Sequence, residues 1–227
     1  MTMQNMTTTM NDLAHFLLLQ LNDATFPIGS YSLSWGLETF VQQGSVHDAE
    51  SACAYIGSEL RGSFIFSELL PARFAWEYAS DSGKLSRLDE LYGASRSPLE
   101  LREGSRKLAS RFLKTTASWT RCTPCAYSAQ YYPVAYGSFC GANGIGEHDA
   151  LAGFLYSQTS ARITTAVKLV PLSQTDGQII LNNSISEFPD LVHQALSFSE
   201  DDICRSCPGT DIRAMQHETL YTRLYMS

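Results

Sequence analysis

From Leu13 onward the apolar side chains return every three or four positions, and no pair of alternating runs is joined by a hairpin turn. That spacing lines residues along one face of a helix and not along one face of a strand. Asn11 or Asp12 can cap a helix carrying Leu13, Phe16, Leu17 and Leu21, and Asp48 one carrying Cys53, Ile56 and Leu60. Pro71 kinks or divides the next helical stretch, and Asp81-Ser82-Gly83 ends it. Ser97-Pro98-Leu99-Glu100 joins a Ser cap, a Pro in the first turn and a Glu three residues after the cap, ahead of Leu101, Leu108, Phe112 and Leu113. Asn143-Gly144-Ile145-Gly146 separates two further helices, the second running from about Asp149 towards Leu169. Its C-terminal half (Ile163, Val167, Leu169, Val170) is β-branched enough to pass for a strand, but it continues a long uninterrupted segment, which favours helix. Thr175-Asp176-Gly177 and Ser186 to Pro189 open shorter helices, and Cys204 to Gly209 is a loop before a last one. The expectation is an all-α, single-domain helical bundle of about eight to ten helices. Residues 1–10 would be a flexible N-terminal tail, and residues 11–227, undivided by any linker, the domain.

One segment departs from plain helix: Phe26-Pro27-Ile28-Gly29-Ser30-Tyr31-Ser32-Leu33-Ser34-Trp35-Gly36-Leu37-Glu38. Pro27 fixes one backbone angle and Gly29 reaches conformations that other residues avoid, so the chain turns here in a defined way. A short helix opening near Ser34 and stopping at Gly44 should come next. Tyr31, Trp35 and Glu38 fall at helical spacings, so they would share one face: an aromatic stripe ending in a carboxylate, suited to docking, or else an ordinary buried stripe.

Charge narrows the function classes. The formal net charge is −7 and charged residues make up 17% of the chain, low for a globular protein, which makes large partner interfaces plausible. No Lys/Arg stripe suits nucleic acid. The apolar run from Phe16 to Leu21 is too short to span a membrane, and Met1 to Met10 lacks the positive flank of a secretory signal, so a cytoplasmic protein is expected. No Gly-x-x-x-x-Gly-Lys-Ser/Thr loop is present to hold a nucleotide in the common way.

Two Cys-x-x-Cys pairs, Cys122/Cys125 and Cys204/Cys207, have zinc or redox spacing, but they stand far apart in sequence and neither follows a strand. Reduced loop cysteines are the simpler reading, with a zinc- or thiol-dependent protein as the rival. The histidines His15, His47, His148, His193 and His217 have no helical His partner, so no metal-ligand set is assigned. His148 reads as a solvated helix-end residue and His217 as a packing or interface residue, the alternative being a transient nickel contact between dimer-related copies. Lys168, near a helix end, either offsets the helix dipole or aims its cation at a partner. Asp201-Asp202 and Asp89-Glu90 read as exposed charges, and no nucleophile stands out.

The Phe26–Glu38 segment resembles the N-terminal signature of the UreF family of urease accessory proteins. Ala166-Val167-Lys168-Leu169-Val170-Pro171-Leu172-Ser173-Gln174 and the C-terminal His217-Glu218-Thr219-Leu220-Tyr221-Thr222-Arg223-Leu224-Tyr225-Met226-Ser227 agree with it, in order along nearly the whole chain. Leu33 departs from the pattern, where many members carry His, which puts a metal role at that turn in doubt. The resemblance implies a helical homodimer that is not an enzyme. It would bridge a UreH/UreD-type protein and the GTPase UreG, coupling GTP state to nickel delivery into apo-urease, with nickel passing transiently and no tightly bound cofactor. By position, Tyr31, Tyr221, Arg223, Leu224 and Tyr225 would meet the UreH-type partner, Leu224 to Ser227 ordering on binding. Glu38 and Lys168 would serve the GTPase face.

Overall fold

The computed structural model describes residues 3–203, 205 and 207–227, and every regular element among them is helical. Helices α1 (Met3–Leu21), α2 (Leu37–Gln42) and α3 (Ala49–Glu59) lead into a π-helical stretch, Leu60–Leu69, which α4 (Leu70–Glu77) continues. Next along the chain come α5 (Ser82–Ser95), α6 (Leu99–Thr116), α7 (Tyr132–Ala142), α8 (Glu147–Leu169), α9 (Gln174–Ile185), α10 (Phe188–Ser197) and α11 (Pro208–His217). The β-branched half of α8 is helical, and the whole is one all-α domain.

Helix α7 is the axis of the core: Tyr132 through Cys140 are all buried. The rings of Tyr132, Tyr136, Phe112 and Phe154 pack about it, with Tyr136 and Phe154 centroids 4.8 Å apart. On its other side α7 meets α4 almost backbone to backbone. A Cβ on Gly137 would lie 2.0 Å from the Ala72 carbonyl oxygen, and one on Gly141 2.6 Å from that of Trp76. Two hydrogen-sized side chains one turn apart set this separation.

Several local expectations change. Helical backbone starts at Met3, so it enters the segment expected as a tail and does not await a cap at Asn11 or Asp12. Pro71 neither breaks nor ends the helix: it sits at the point where the π-helical stretch, with its wider turn, gives way to α4, so its missing N–H is absorbed. Asp81 caps the next helix by accepting the Lys84 N–H, so its triplet starts α5 as much as it closes α4. Ser97 makes no cap; Pro98 precedes α6, and the Glu100 carboxylate is used elsewhere.

A polar layer lies within the apolar core. Arg162 on α8 is buried with its guanidinium carbon 4.3 Å over the Trp35 ring and 4.8 Å over that of Phe64. The Glu59 and Glu68 carboxylates, both buried, act on its charge, and Arg96 donates to Glu68 at 3.2 Å. Asp89, expected on the surface, is fully buried and accepts the N–H groups of Gln130 and Tyr131 at 2.8 and 3.1 Å. It fixes the start of α7, a role invisible in the neighbouring residues; Glu90 beside it is exposed as expected.

Burial holds the Glu59 carboxyl above its usual 4.5, against the Thr210 hydrogen bond and the Arg162 charge, which pull the other way. A folded chain that binds this proton more tightly than the unfolded one gains stability below the ordinary carboxylate value. It loses that gain as pH rises through the raised one. Glu59→Gln keeps an acceptor for Thr210 and cannot titrate. The stability difference between wild type and Glu59→Gln, followed by urea denaturation across the acid range, is therefore expected to tilt against wild type as pH increases.

Candidate partner-docking site

The signature segment does not form one helical face. Gly29, at φ 78°, turns the chain into a single 3-10 turn, Ser30–Ser32, and Trp35 and Gly36, at φ 52° and 86°, turn it again ahead of α2. A bulky residue in the left-handed region is held there by its surroundings, here by the buried ring's contact with Arg162. Gly36 is needed for a further reason: α11 crosses so closely that a Cβ would meet the Ala214 backbone nitrogen at 3.3 Å. The expected stripe therefore separates. Tyr31 is 70% exposed, whereas Trp35 and Glu38 are buried.

What Glu38 faces is the far end of the chain. Its carboxylate accepts the backbone N–H groups of Leu224 at 2.8 Å and Tyr225 at 3.1 Å, and its Oε2 lies 2.9 Å from Nε2 of His217. The other ring nitrogen of His217, Nδ1, lies 2.6 Å from Oε2 of Glu100. Arg223 then donates to the second Glu100 oxygen at 2.7 Å. Glu38, His217, Glu100 and Arg223 thus form one row, contributed by α2, α11, α6 and the segment beyond α11. His217 has no exposed surface at all.

Backbone contacts extend the seat. The Met226 N–H donates to the Ser32 carbonyl at 2.9 Å, and the Ser34 N–H and hydroxyl both donate to the Ser227 backbone oxygen. Gln42 reaches the Thr222 carbonyl at 2.8 Å. Half-burial and the Glu38 charge push the Tyr225 phenol up, as befits a ring packed against the body. The tail, expected to order on binding, lies against the body in this structure. Beside its anchors, Tyr221, Leu224 and Tyr31 carry large side chains that point to solvent; Leu224 is 81% exposed. Tail and signature segment thus each carry exposed apolar or aromatic side chains on a backbone fixed from beneath.

The predicted site residues therefore divide differently. Tyr31, Tyr221 and Leu224 are free-standing, Tyr225 is half-buried, and Arg223 is partly exposed but engaged with Glu100. Glu38, expected to serve the GTPase face, is buried in this structure and accepts hydrogen bonds from the tail. Lys168 stands exposed in the last turn of α8, and Thr165, one turn earlier, donates to the Leu33 carbonyl at 3.2 Å. Glu100 was missed as part of this site, whereas His217, read as a packing or interface residue, is the buried ring at its centre. The sole local hint was the acid after Pro98, whose capping reading the structure replaces.

Elsewhere, Cys122 and Cys125 occupy a loop as expected, and burial pushes both thiols up, away from the thiolate that metal binding requires. Cys204 lies outside the described residues, so the pair Cys204/Cys207 is not placed. Among the described residues no group of three or more His, Cys, Asp or Glu side chains is positioned to hold a metal ion. Among them, too, no helix is long and apolar enough to cross a membrane. His15, His47, His148 and His193 are exposed.

The structure is thus an all-helical domain with a seated tail, and the charged groups beneath that tail are spent on holding it. The family model UreF matches residues 46–184. Urease accessory protein UreF of Actinobacillus pleuropneumoniae serotype 3 is 36% identical over 221 residues, covering 92% of this chain and 97% of its own. That of Haemophilus influenzae strain PittEE is 37% identical, covering 92% and 94%, and that of Methylobacillus flagellatus 34%, covering 92% and 96%. The chain belongs to the UreF family of urease accessory proteins.

Proposed function

We propose that this chain is a non-catalytic homodimeric bridge in the cytoplasm, joining a UreH/UreD-type accessory protein to the GTPase UreG and coupling GTP state to nickel delivery into apo-urease. The observation that carries the reading is the patch of Tyr31, Tyr221 and Leu224 set on the pinned tail, the aromatic and aliphatic anchor type that dominates interface energies. Glu38 serves from below by holding that tail, and Lys168 offers a cation free of any ion pair among the described residues. A second apolar surface supports the homodimer. Leu13, Phe16 and Leu19 stand more than half exposed along α1, beside a groove of about 610 Å³ that Trp119 also lines. Nickel is cargo in this scheme, passing transiently. GTP state is coupled through differential affinity for one state of the GTPase, the only means by which a partner shifts such an equilibrium.

Light scattering after size-exclusion chromatography tests this on wild type and Leu224→Asp, each alone and with the UreD-type protein and UreG. Wild type is expected as a dimer that takes up both partners. Leu224→Asp is expected to stay dimeric and to bind the UreD-type protein at least about tenfold more weakly, as loss of one buried anchor does. Wild-type chain indifferent to both partners, or a variant that binds like wild type, overturns the reading.

A further inference from the structure

We propose that the exposed face of α6 is a docking strip for an acidic helix of a partner protein, one that carries carboxylates at helical spacings of three, four and seven. The strip rests on the proposed docking role and deepens it, by naming the chemistry of the surface that lies across it.

Helix α6 holds five of the chain's 16 Lys and Arg residues, but only two of its 23 Asp and Glu residues, Glu100 and Glu103. The cations are spread along its sequence, never more than two in a row, and helical winding gathers them. Lys107, Arg111 and Lys114 follow at spacings of four and three, so they form one exposed row about 10 Å long. Arg106 is exposed on the same helix, and Leu99 at its start, nearly half exposed, adds an apolar contact.

Both acids of the helix are already engaged. Glu103 pairs with Arg106 at 2.8 Å, and Glu100 meets His217 and Arg223. The row itself is not neutralised: among the described residues Lys107, Arg111 and Lys114 make no ion pair. Lys107 reaches only the Met226 sulfur, at 3.7 Å. Arg111 donates to the Ile28 carbonyl at 3.1 Å, and Arg102 to that of Arg96 at 3.0 Å. Such contacts hold a guanidinium in place and leave its charge uncompensated, so less side-chain freedom is lost when an anion arrives. Through Ile28 the row also borders the signature segment. A long polyanion suits it poorly. The row is about two helical turns long. Over the rest of the chain acids outnumber cations, and they repel nucleic acid or a charged bilayer extending past the row. A helix with carboxylates at matching spacing meets the row alone.

The test follows association of the chain with the UreD-type protein and with UreG, at low and at high salt. Wild type is set beside Lys107→Glu/Lys114→Glu and Lys107→Arg/Lys114→Arg; both lysines are exposed, so each variant should fold. With one of the two proteins the Glu variant is expected to associate about tenfold or more slowly at low salt, the difference closing at high salt, while the Arg variant keeps the wild-type rate. Equal rates for wild type and the Glu variant with both proteins overturn the strip. If Leu224→Asp weakens docking in the same assay, the docking reading then survives without it. Should wild type bind neither protein, the docking reading falls, and a helical peptide with Glu at the matching spacing decides the strip by amide NMR. Shifts confined to α6 and lost in the Glu variant uphold it; no shifts overturn it. Light scattering and binding to RNA or phosphatidylserine vesicles test the other occupants. A Glu variant that changes oligomeric state, or a wild type that the Glu substitutions release from RNA or vesicles but from no protein, overturns the proposal.

Discussion

Replacing Arg162 with alanine is expected to remove about 3–5 kcal/mol of stability, the range for breaking a buried ion pair from one side. The guanidinium lies between the rings of Trp35 and Phe64 and within the field of Glu59 and Glu68, all of them buried. Burial pulls its own pKa below the ordinary guanidinium value, so the site stabilises the cation less than water does, and the two carboxylates are what retain it. Without it Glu68 keeps Arg96, whereas Glu59 keeps only the Thr210 hydroxyl and the pull of the Arg96 charge. Urea denaturation measures the loss as a lower midpoint at unchanged slope. Arg162→Met separates charge from volume: it fills much of the space and still strands the carboxylate, so it should lose nearly as much. A methionine variant as stable as wild type would assign the effect to packing instead.

A single methyl group at position 137 should do comparable damage. The Cβ of Gly137→Ala would sit 2.0 Å from a backbone oxygen of α4 and 2.9 Å from both the carbon of that carbonyl and the Ala75 Cβ. No rotamer relieves a clash with backbone, so α4 and α7 must part along their whole crossing, at the centre of the core. Overpacking usually costs about 1–3 kcal/mol, and backbone-limited cases exceed that, so about 3 kcal/mol or more is expected by the same denaturation assay. Gly209→Ala is the control. Its Cβ would meet nothing within 4 Å, and stability should change by no more than about 0.5 kcal/mol. If the two variants unfold alike, the close approach of α4 and α7 is not what limits position 137.

Helical spacing made α6, α8 and the central bundle legible, because the apolar positions of Leu101, Leu108 and Phe112 report a buried face directly. The turn at Pro27 and Gly29 was equally plain, since both residues restrict or extend the backbone by their own chemistry. Trp35 gave no such sign. A residue that ordinarily avoids positive φ adopts it, and only its contact with Arg162, more than a hundred positions away, explains why. The site suffered most from this blindness to distance. Tyr31, Leu224 and Arg223 were expected at a partner face from the resemblance, whereas Glu100 was read as a cap and Asp89 as a surface charge. In each case the true partners, His217 and Arg223 for one and the start of α7 for the other, lie far along the chain. Periodicity speaks of faces, and says nothing about which distant acid a buried histidine meets.

The seating of the tail on the signature segment has a consequence during synthesis. Ser32, Ser34 and Glu38 leave the ribosome early, but the groups that satisfy them belong to residues 217–227, made long after them. Until then Glu38 has no His217 and no tail amide, and an enclosed carboxylate of that kind is costly, so the Trp35–Leu37 turn stays open to water while the rest of the bundle assembles. The tail can therefore seat only on a chain whose α11 has been completed and docked. A stalled or clipped product has the core, α1 and its exposed apolar face, but not the surface carried by the tail.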